Sequence, residues 1–363
     1  MKTGNANSMI RVLVVEDSKT VQKALVAALE ADPELRVVGT ADSGEEAVEA
    51  AGTLRPDLIT MDINLPGMDG FQATRAIMSN CPTPIVVVTG KLDPRDSDTL
   101  FRVMQAGALM VLGKPTAPGT PEHAESVARL VHHLKLMSEI KVVRRSFPEA
   151  RALAALPAAR PAVPGNAGQV KVIGIGASTG GPPLLQRILS SLPEDLNAAV
   201  LLVQHMAEGF TENFVAWLKH SSRLPISLAQ DGMPIEPGQV LVAPDGHHLE
   251  VAPGNRVALS LAPPDNGLRP SVAALFRSLA RYCGRQSAGV LLTGMGSDGA
   301  KELKLLRQAG GITIVQNRES SVVFGMPGEA IRLDAASYVL PPEEIIELLT
   351  RLAAPAPALL SRS

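Results

Sequence analysis

The sequence predicts two consecutive α/β domains, each built on a mainly parallel sheet. Three observations carry this. Short runs of β-branched and aliphatic residues alternate with helix-spaced apolar patterns along most of the chain, the signature of strand–helix–strand units. At 363 residues the chain is too long for one ordinary core. An Ala-, Pro- and Arg-rich stretch over 144–169 interrupts the alternation near the middle. The expected division is a first domain over 9–140, a flexible linker over 141–169, a second domain over 170–350 and a disordered tail over 351–363.

Composition narrows the function classes. Apolar residues make up 45% and charged residues 19%, so both domains are expected to be globular. A net charge of −2 argues against a nucleic acid or anionic membrane held by bulk electrostatics. Cys81 and Cys283 stand far apart without a C-x-x-C pair, which fits a reducing compartment and no zinc site. Residues 1–9 lack an apolar core, and no apolar run approaches the ~18 residues of a membrane span. A cytoplasmic, monomeric protein without membrane insertion is therefore expected. Lys141, Arg144, Arg145, Arg151 and Arg160 make the linker basic; a solvated tether is the default reading, docking onto an acidic partner the alternative.

In the first domain the expected strands end on chemistry. Ile10–Val15 ends on Glu16-Asp17, and Asp57–Met61 ends on Asp62. Pro84–Val88 ends on Thr89, and Ala108–Gly113 ends on Lys114. Arg36–Thr40 completes a five-stranded doubly wound parallel sheet, whose ligands bind at the carboxyl ends of the strands. Clustered carboxylates repel unless a hard cation neutralises them, and oxygen ligands suit Mg²⁺. An aspartate so neutralised, beside a hydroxyl and a lysine, suits phosphoryl acceptance: Asp62 attacks phosphorus while Thr89 and Lys114 contact the phosphoryl oxygens.

The second domain opens on Val170-Lys-Val-Ile-Gly-Ile-Gly, followed by Ala177-Ser-Thr-Gly-Gly-Pro-Pro and a helical pattern. This reads as strand, tight turn and helix, with Ser178 exposed at the turn. Ala198–Gln204 is a strand that runs into His205, and Val240–Val251 reads as strand, turn, strand. A helix opens after Arg269-Pro-Ser. Ala288–Thr293 is a strand followed by Gly294-Met-Gly-Ser-Asp298-Gly, with further strands at 311–316 and 338–340. Ser178, His205 and Asp298 are the residue types of a hydrolytic triad. The glycine-rich turns at 179–181 and 293–296 are placed to supply oxyanion amides.

Other readings stay open at this stage. A lone strand-end histidine such as His205 is more often a hydrogen-bonded structural residue, and an aspartate in a glycine turn such as Asp298 more often an N-cap, here of the helix from Ala300. His247 and His248 compete as base or as metal ligands. Gly294–Gly299 spells G-x-G-x-x-G after a strand, a weaker dinucleotide-binding alternative.

Two resemblances gather these fragments. Glu16-Asp17, Met61–Gly70, Thr89 and Lys114-Pro115 resemble the receiver domains of two-component response regulators, a flavodoxin-like fold. The resemblance implies phosphorylation of Asp62 by a histidine kinase, with Glu16, Asp17 and the Asn64 carbonyl serving the metal. Val111 stands where that family often has an aromatic switch residue. Ile175–Gly181, Gln204-His-Met, Ala243–His248, Arg269–Val272, Leu292–Ala300 and Val323–Pro327 resemble the chemotaxis-type protein-glutamate methylesterases, the CheB family. That resemblance implies a serine hydrolase that cleaves glutamate γ-methyl esters on chemoreceptors and deamidates receptor glutamines. Its triad falls on Ser178, His205 and Asp298, its oxyanion amide on Met295 with Thr179 in support, and its phosphodonor is a CheA-type kinase. Ala273 departs from the acidic residue common there, which admits a paralogue in a non-flagellar chemosensory array. The fusion implies that the unphosphorylated receiver covers the Ser178 cleft. The non-enzyme alternative is a phosphorylation-dependent docking protein with an inactive hydrolase fold.

Overall fold

The structure is a computed structural model that describes residues 9–90, 97–117, 119–140, 142, 170–206 and 208–354. The chain divides into two compact units, 1–153 and 154–363. Apart from Val142, the expected linker lies outside the described residues.

The first unit alternates strand and helix: β1 Ile10–Val15, α1 Lys19–Glu30, β2 Leu35–Ala41, α2 Gly44–Leu54, β3 Leu58–Met61, α3 Gly70–Asn80, β4 Ile85–Thr89, α4 Ser97–Ala106, β5 Met110–Gly113 and α5 His123–Ser138. The five strands are parallel, in the order β2-β1-β3-β4-β5. Every residue of β3 and β4 is buried, which is why these strands are continuous aliphatic runs rather than alternating ones. Two helix starts are written locally. Ser43 Oγ accepts the Glu46 N–H at α2, and Asp69 with Gln72 forms a reciprocal capping box at α3. The chain reverses direction across the sheet at β1, which lies between β2 and β3. The carboxyl ends of β1 and β3 therefore border a crevice, and Glu16, Asp17 and Asp62 follow those ends directly.

The second unit contains β6 Val172–Ala177, α6 Gly181–Ser191, β7 Ala199–Gln204, α7 Thr211–Lys219, β8 Ile226–Leu228, β9 Val240–Val242, β10 His248–Ala252, β11 Arg256–Ser260, α8 Val272–Tyr282, β12 Ser287–Leu291, α9 Ala300–Gln308, β13 Ile312–Gln316, α10 Met326–Arg332, β14 Tyr338–Leu340 and α11 Pro342–Leu352. A seven-stranded parallel sheet runs β14-β13-β12-β6-β7-β9-β8, and β10 and β11 form a separate antiparallel pair. The first strand of the unit, β6, is central, with β7 on one side and β12 on the other. Its carboxyl end is the switch point of this sheet.

Gly174 and Gly176 let α8 lie close against β6. A Cβ at Gly174 would meet Leu279 Cδ1 at 2.4 Å, and one at Gly176 would meet Val272 Cγ1 at 2.3 Å. Leu275, Phe276 and Leu279 of α8 are fully buried there, each worth ~1.5–3 kcal/mol of apolar burial.

Strand, turn and strand are observed over 240–251, but in different sheets: β9 joins the main sheet, and β10 pairs with β11. β8, a short edge strand, carries no distinct sequence signal. One expected boundary is corrected. The tail does not begin at 351, because α11 runs to Leu352. Leu352 and Ala353 are buried, and the Ala353 carbonyl accepts the Asn197 N–H at 2.9 Å. The apolar spacing Ile345, Leu348, Leu349, Leu352 carries the helix past that boundary. Residues 355–363 lie outside the described residues.

Candidate active site

Ser178 follows β6 directly and His205 follows β7 directly. The two strands are neighbours in register, Ala177 opposite Gln204, so the two residues leave the sheet side by side. Asp298 is not at a strand end. β12 stops at Leu291, and Asp298 lies in the loop that leads to α9. Its buried carboxylate nevertheless meets the histidine: Asp298 Oδ2 lies 2.8 Å from His205 Nε2. The same carboxylate accepts the first two amides of α8, Val272 N–H at 2.6 Å on Oδ2 and Ala273 N–H at 3.1 Å on Oδ1. A carboxylate at a helix N-terminus is stabilised by unpaired amides and by the helix dipole. The expectation that Asp298 caps the helix from Ala300 is not met; its carboxylate serves the first amides of α8 instead. The N-cap of α9 is Gly299, which offers no side chain. Ala273 is buried in the first turn of α8, where its amide serves Asp298.

Pairing of Nε2 with Asp298 makes Nε2 the proton-bearing nitrogen and leaves Nδ1 as the basic one. The Ser178 hydroxyl makes no hydrogen bond to the ring, so the structure joins histidine to aspartate but not serine to histidine. The Ser178 backbone is fixed instead. Its N–H donates to Thr293 O at 3.0 Å, and its carbonyl accepts Gly181 N–H at 2.8 Å.

Several residues to which the sequence assigns no individual role build this frame. Buried Thr293 donates its hydroxyl to Thr179 O at 2.9 Å and accepts the Val323 N–H at 2.9 Å. Buried Gln316 accepts the Thr293 N–H at 2.7 Å and donates to Ser320 O at 2.9 Å. Gly294 donates to Val323 O, and its carbonyl accepts the amides of Gly325 and Met326. The segment 320–326 thus clamps the loop that carries Met295, whose own N–H has no protein acceptor among the described residues. Asp245 accepts the Gly209 N–H at 2.8 Å and the Thr211 hydroxyl, which closes the loop after His205. Polarity at strand ends signals Thr293 and Gln316, while Asp245 and Val323 lie in blocks that carry the methylesterase resemblance.

The competing histidines resolve differently. His248 is buried, with Nδ1 facing Ser271 Oγ at 3.1 Å and Nε2 facing Pro263 O at 3.2 Å, so protein partners fill both nitrogens. His247 Nδ1 faces the Asp245 carbonyl at 3.0 Å. Neither belongs to a group of converging metal-ligand atoms among the described residues. At the head of the G-x-G-x-x-G loop the Gly294 N–H and carbonyl are engaged by 323–326, and β12, which precedes the loop, is not the first strand of its sheet.

In the first unit, carboxylate oxygens of Glu16, Asp17 and Asp62 lie within 4.8 Å of one another. Lys114 Nζ stands 2.6 Å from Glu16 Oε2 and 2.8 Å from Asp62 Oδ2. Asp62 Oδ1 accepts the Ile63 N–H at 2.8 Å. Burial pushes the Glu16 carboxyl up; the Lys114 hydrogen bond opposes this and the Asp62 charge adds to it. Burial works against the Lys114 charge, but its bonds to Asp62 and Glu16 prevail and hold its pKa up. Thr89 is buried at the end of β4, and its carbonyl accepts the Lys114 N–H at 2.9 Å. Asn64 is exposed on the loop after Asp62. Val111 is buried in β5, opposite Val87.

Both units match known protein families. The CheB methylesterase family matches residues 173–349, and the response regulator receiver domain family matches residues 12–123. A Geobacter metallireducens protein named protein-glutamate methylesterase/protein-glutamine glutaminase 4 is 50% identical over 349 residues, covering 95% of this chain and 99% of its own. A Syntrophus aciditrophicus protein, protein-glutamate methylesterase/protein-glutamine glutaminase 1, is 49% identical over 346 residues, covering 95% and 99%. The crystal structure of the Thermotoga maritima CheB methylesterase catalytic domain aligns at 38% identity and a TM-score of 0.49, covering 50% of this chain and 98% of that one. With both domain families matched in order and near-full-length relatives at half identity, the chain belongs to the CheB methylesterase family, in the form that carries a response regulator receiver domain.

Proposed function

We propose that this chain is a receiver-controlled serine esterase that hydrolyses glutamate γ-methyl esters on methyl-accepting chemoreceptors and deamidates receptor glutamines. The observation that carries the reading is the His205–Asp298 pair, seated on the α8 N-terminus beside the Ser178 turn. The close relatives named for both activities support it.

The mechanism follows from the hydrogen-bond directions. His205 Nδ1 takes the Ser178 proton while Ser178 Oγ bonds to the ester carbonyl carbon. Asp298 holds the Nε2 proton and offsets the imidazolium charge. The Met295 amide, with Thr179 in support, receives the oxyanion. Collapse breaks the bond to the methoxy oxygen, which leaves as methanol with the proton from His205. Water then gives a proton to His205 and attacks the acyl carbon, and Ser178 Oγ leaves with that proton. For glutamine the first leaving group is ammonia.

In the receiver, Asp62 is the phosphoryl acceptor, with a CheA-type histidine kinase as donor, and Lys114 and Thr89 contact the phosphoryl oxygens. Three converging carboxylates against one lysine fit a hard cation. Glu16, Asp17, Asp62 and the Asn64 carbonyl would hold Mg²⁺. When bound, Mg²⁺ supplies charge neutralisation for the carboxylates and the phosphoryl group. Unphosphorylated receiver restrains the esterase, and modification of Asp62 lifts the restraint.

The test is methanol release from methylated receptor by wild type and Ser178→Ala, with and without a small phosphodonor. Release that does not depend on Ser178 would sink the esterase reading. Deletion of residues 1–145 is expected to raise release; an unchanged or lower rate would remove the restraint.

A further inference from the structure

Ser178 and His205 sit on separate turns, and their side chains are not hydrogen bonded. The ladder of β6 and β7 closes with the His205 N–H donating to Ala177 O at 2.9 Å, and beyond it the turns diverge. Their backbones share one side chain. Gln204, the last residue of β7, is buried, and its Nε2 donates to Ser178 O at 2.9 Å and to His205 O at 2.8 Å. Both hydrogens of one carboxamide are spent on the two turns that carry nucleophile and base. The amide cannot be flipped, because Oε1 would then face two carbonyl oxygens.

The other end of the carboxamide is also constrained. Gln204 Oε1 is buried and has no hydrogen-bond partner. It lies against Gly181, where an added Cβ would stand 2.1 Å from it, so a Cα hydrogen of Gly181 points at that oxygen. Gly181 also donates its N–H to Ser178 O at 2.8 Å. The Ser178 carbonyl is thus held twice, by its own turn and by Gln204. A buried carbonyl acceptor left unpaired is a cost that a purely space-filling residue would not incur.

We infer that Gln204 is a positioning residue for the esterase reaction: it holds the Ser178 and His205 turns at the separation that proton transfer needs. This rests on the reading of Ser178 and His205 as nucleophile and base. Misplacement of a reacting group by about 1 Å costs on the order of 10²-fold in rate. The role is felt after substrate binds, so kcat falls while KM changes little.

Gln204→Met in the full chain keeps length and volume and removes both hydrogen bonds. Methanol release and the rate of Ser178 labelling by a fluorophosphonate are measured with kcat and KM resolved, alone and in a His205→Ala background. The expected result is a kcat loss on the order of 10²-fold with KM within about twofold, a parallel drop in labelling, and little further loss once His205 is gone. A kcat within about threefold of wild type, or an equal loss without His205, overturns the assignment. Gln204→Glu, which keeps the shape but presents an acceptor to both carbonyls, is judged by the same outcomes should the Met variant fail to fold. Wild type that releases no methanol and takes no label at Ser178 would instead defeat the esterase reading itself.

Discussion

Replacing Asp298 with asparagine keeps the side chain's shape and removes its charge. The carboxylate accepts three N–H groups: His205 Nε2 and Val272 N on Oδ2, and Ala273 N on Oδ1. Asparagine has one acceptor oxygen. With that oxygen in the Oδ2 position, two bonds survive and the Ala273 amide faces an NH₂ group; the reverse orientation loses two. The first arrangement is therefore expected, and the histidine keeps its tautomer. The unpaired Ala273 amide costs ~1–3 kcal/mol, and the lost charge at the α8 N-terminus ~0.3–1 kcal/mol. A domain of ordinary stability remains folded after that loss.

The catalytic loss is larger. Imidazolium formed in the transition state loses a carboxylate at 2.8 Å. At an effective dielectric constant of ~20 that pair is worth about 4–6 kcal/mol. At ~1.4 kcal/mol per decade, kcat falls on the order of 10³–10⁴-fold with little change in KM. Methanol release and a urea unfolding curve are measured on the same preparation. Ser271→Ala provides the comparison, since Ser271 Oγ caps α8 through Ala274 N–H and makes no bond to His205. It is expected to lose about 1–3 kcal/mol of stability, since the hydroxyl also faces buried His248 Nδ1, while kcat falls far less than in the Asp298 variant. If Asp298→Asn lowered the unfolding midpoint yet retained a tenth or more of wild-type kcat, Asp298 would be a helix cap only.

Four further outcomes are expected. Lys114→Met leaves Glu16 and Asp62 buried without their counter-charge and costs the receiver ~3–5 kcal/mol, with part of the melting temperature restored by millimolar Mg²⁺; an unchanged melting temperature contradicts the charge argument. Gly176→Ala drives a Cβ into Val272, costs ~1–3 kcal/mol by overpacking and lowers kcat by shifting the α8 amides off Asp298. Gly52→Ala meets nothing within 4 Å and is expected to stabilise α2 by ~0.4–1 kcal/mol; a transition of the second unit unchanged by Gly176→Ala, or one of the first unit lowered by Gly52→Ala, would refute the packing argument. Burial pushes the Cys283 thiol up to about 11 and also raises that of Cys81, so iodoacetamide at neutral pH should leave esterase activity intact where a fluorophosphonate abolishes it.

The residues that carry chemistry were legible in the chain because they interrupt strong local patterns. Aliphatic runs end on Glu16, Asp62, Thr89, Ser178 or His205, and the break from apolar to polar marks a strand's carboxyl end whatever its neighbours are. Alternation of such runs with helix-spaced segments is likewise local, so the two parallel sheets could be read without coordinates. Helix caps such as Asp69 with Gln72 are written within a few residues.

Strand order is not local, and tertiary structure alone decided it. Only the arrangement β12-β6-β7 brings the loop after Leu291 to the turns at Ser178 and His205. Close packing of α8 on Gly174 and Gly176 then sets Val272 and Ala273 amides against Asp298, a carboxylate that the sequence assigned to a strand end and to the cap of α9. Gln204, Thr293 and Gln316 gained their roles the same way. A buried amide or hydroxyl takes its meaning from the groups that face it, and those come from distant parts of the chain. The sequence alone determined which atoms are available for chemistry. Packing decided which nitrogen of His205 is basic and what holds the two turns together, because both depend on distances that no local pattern records.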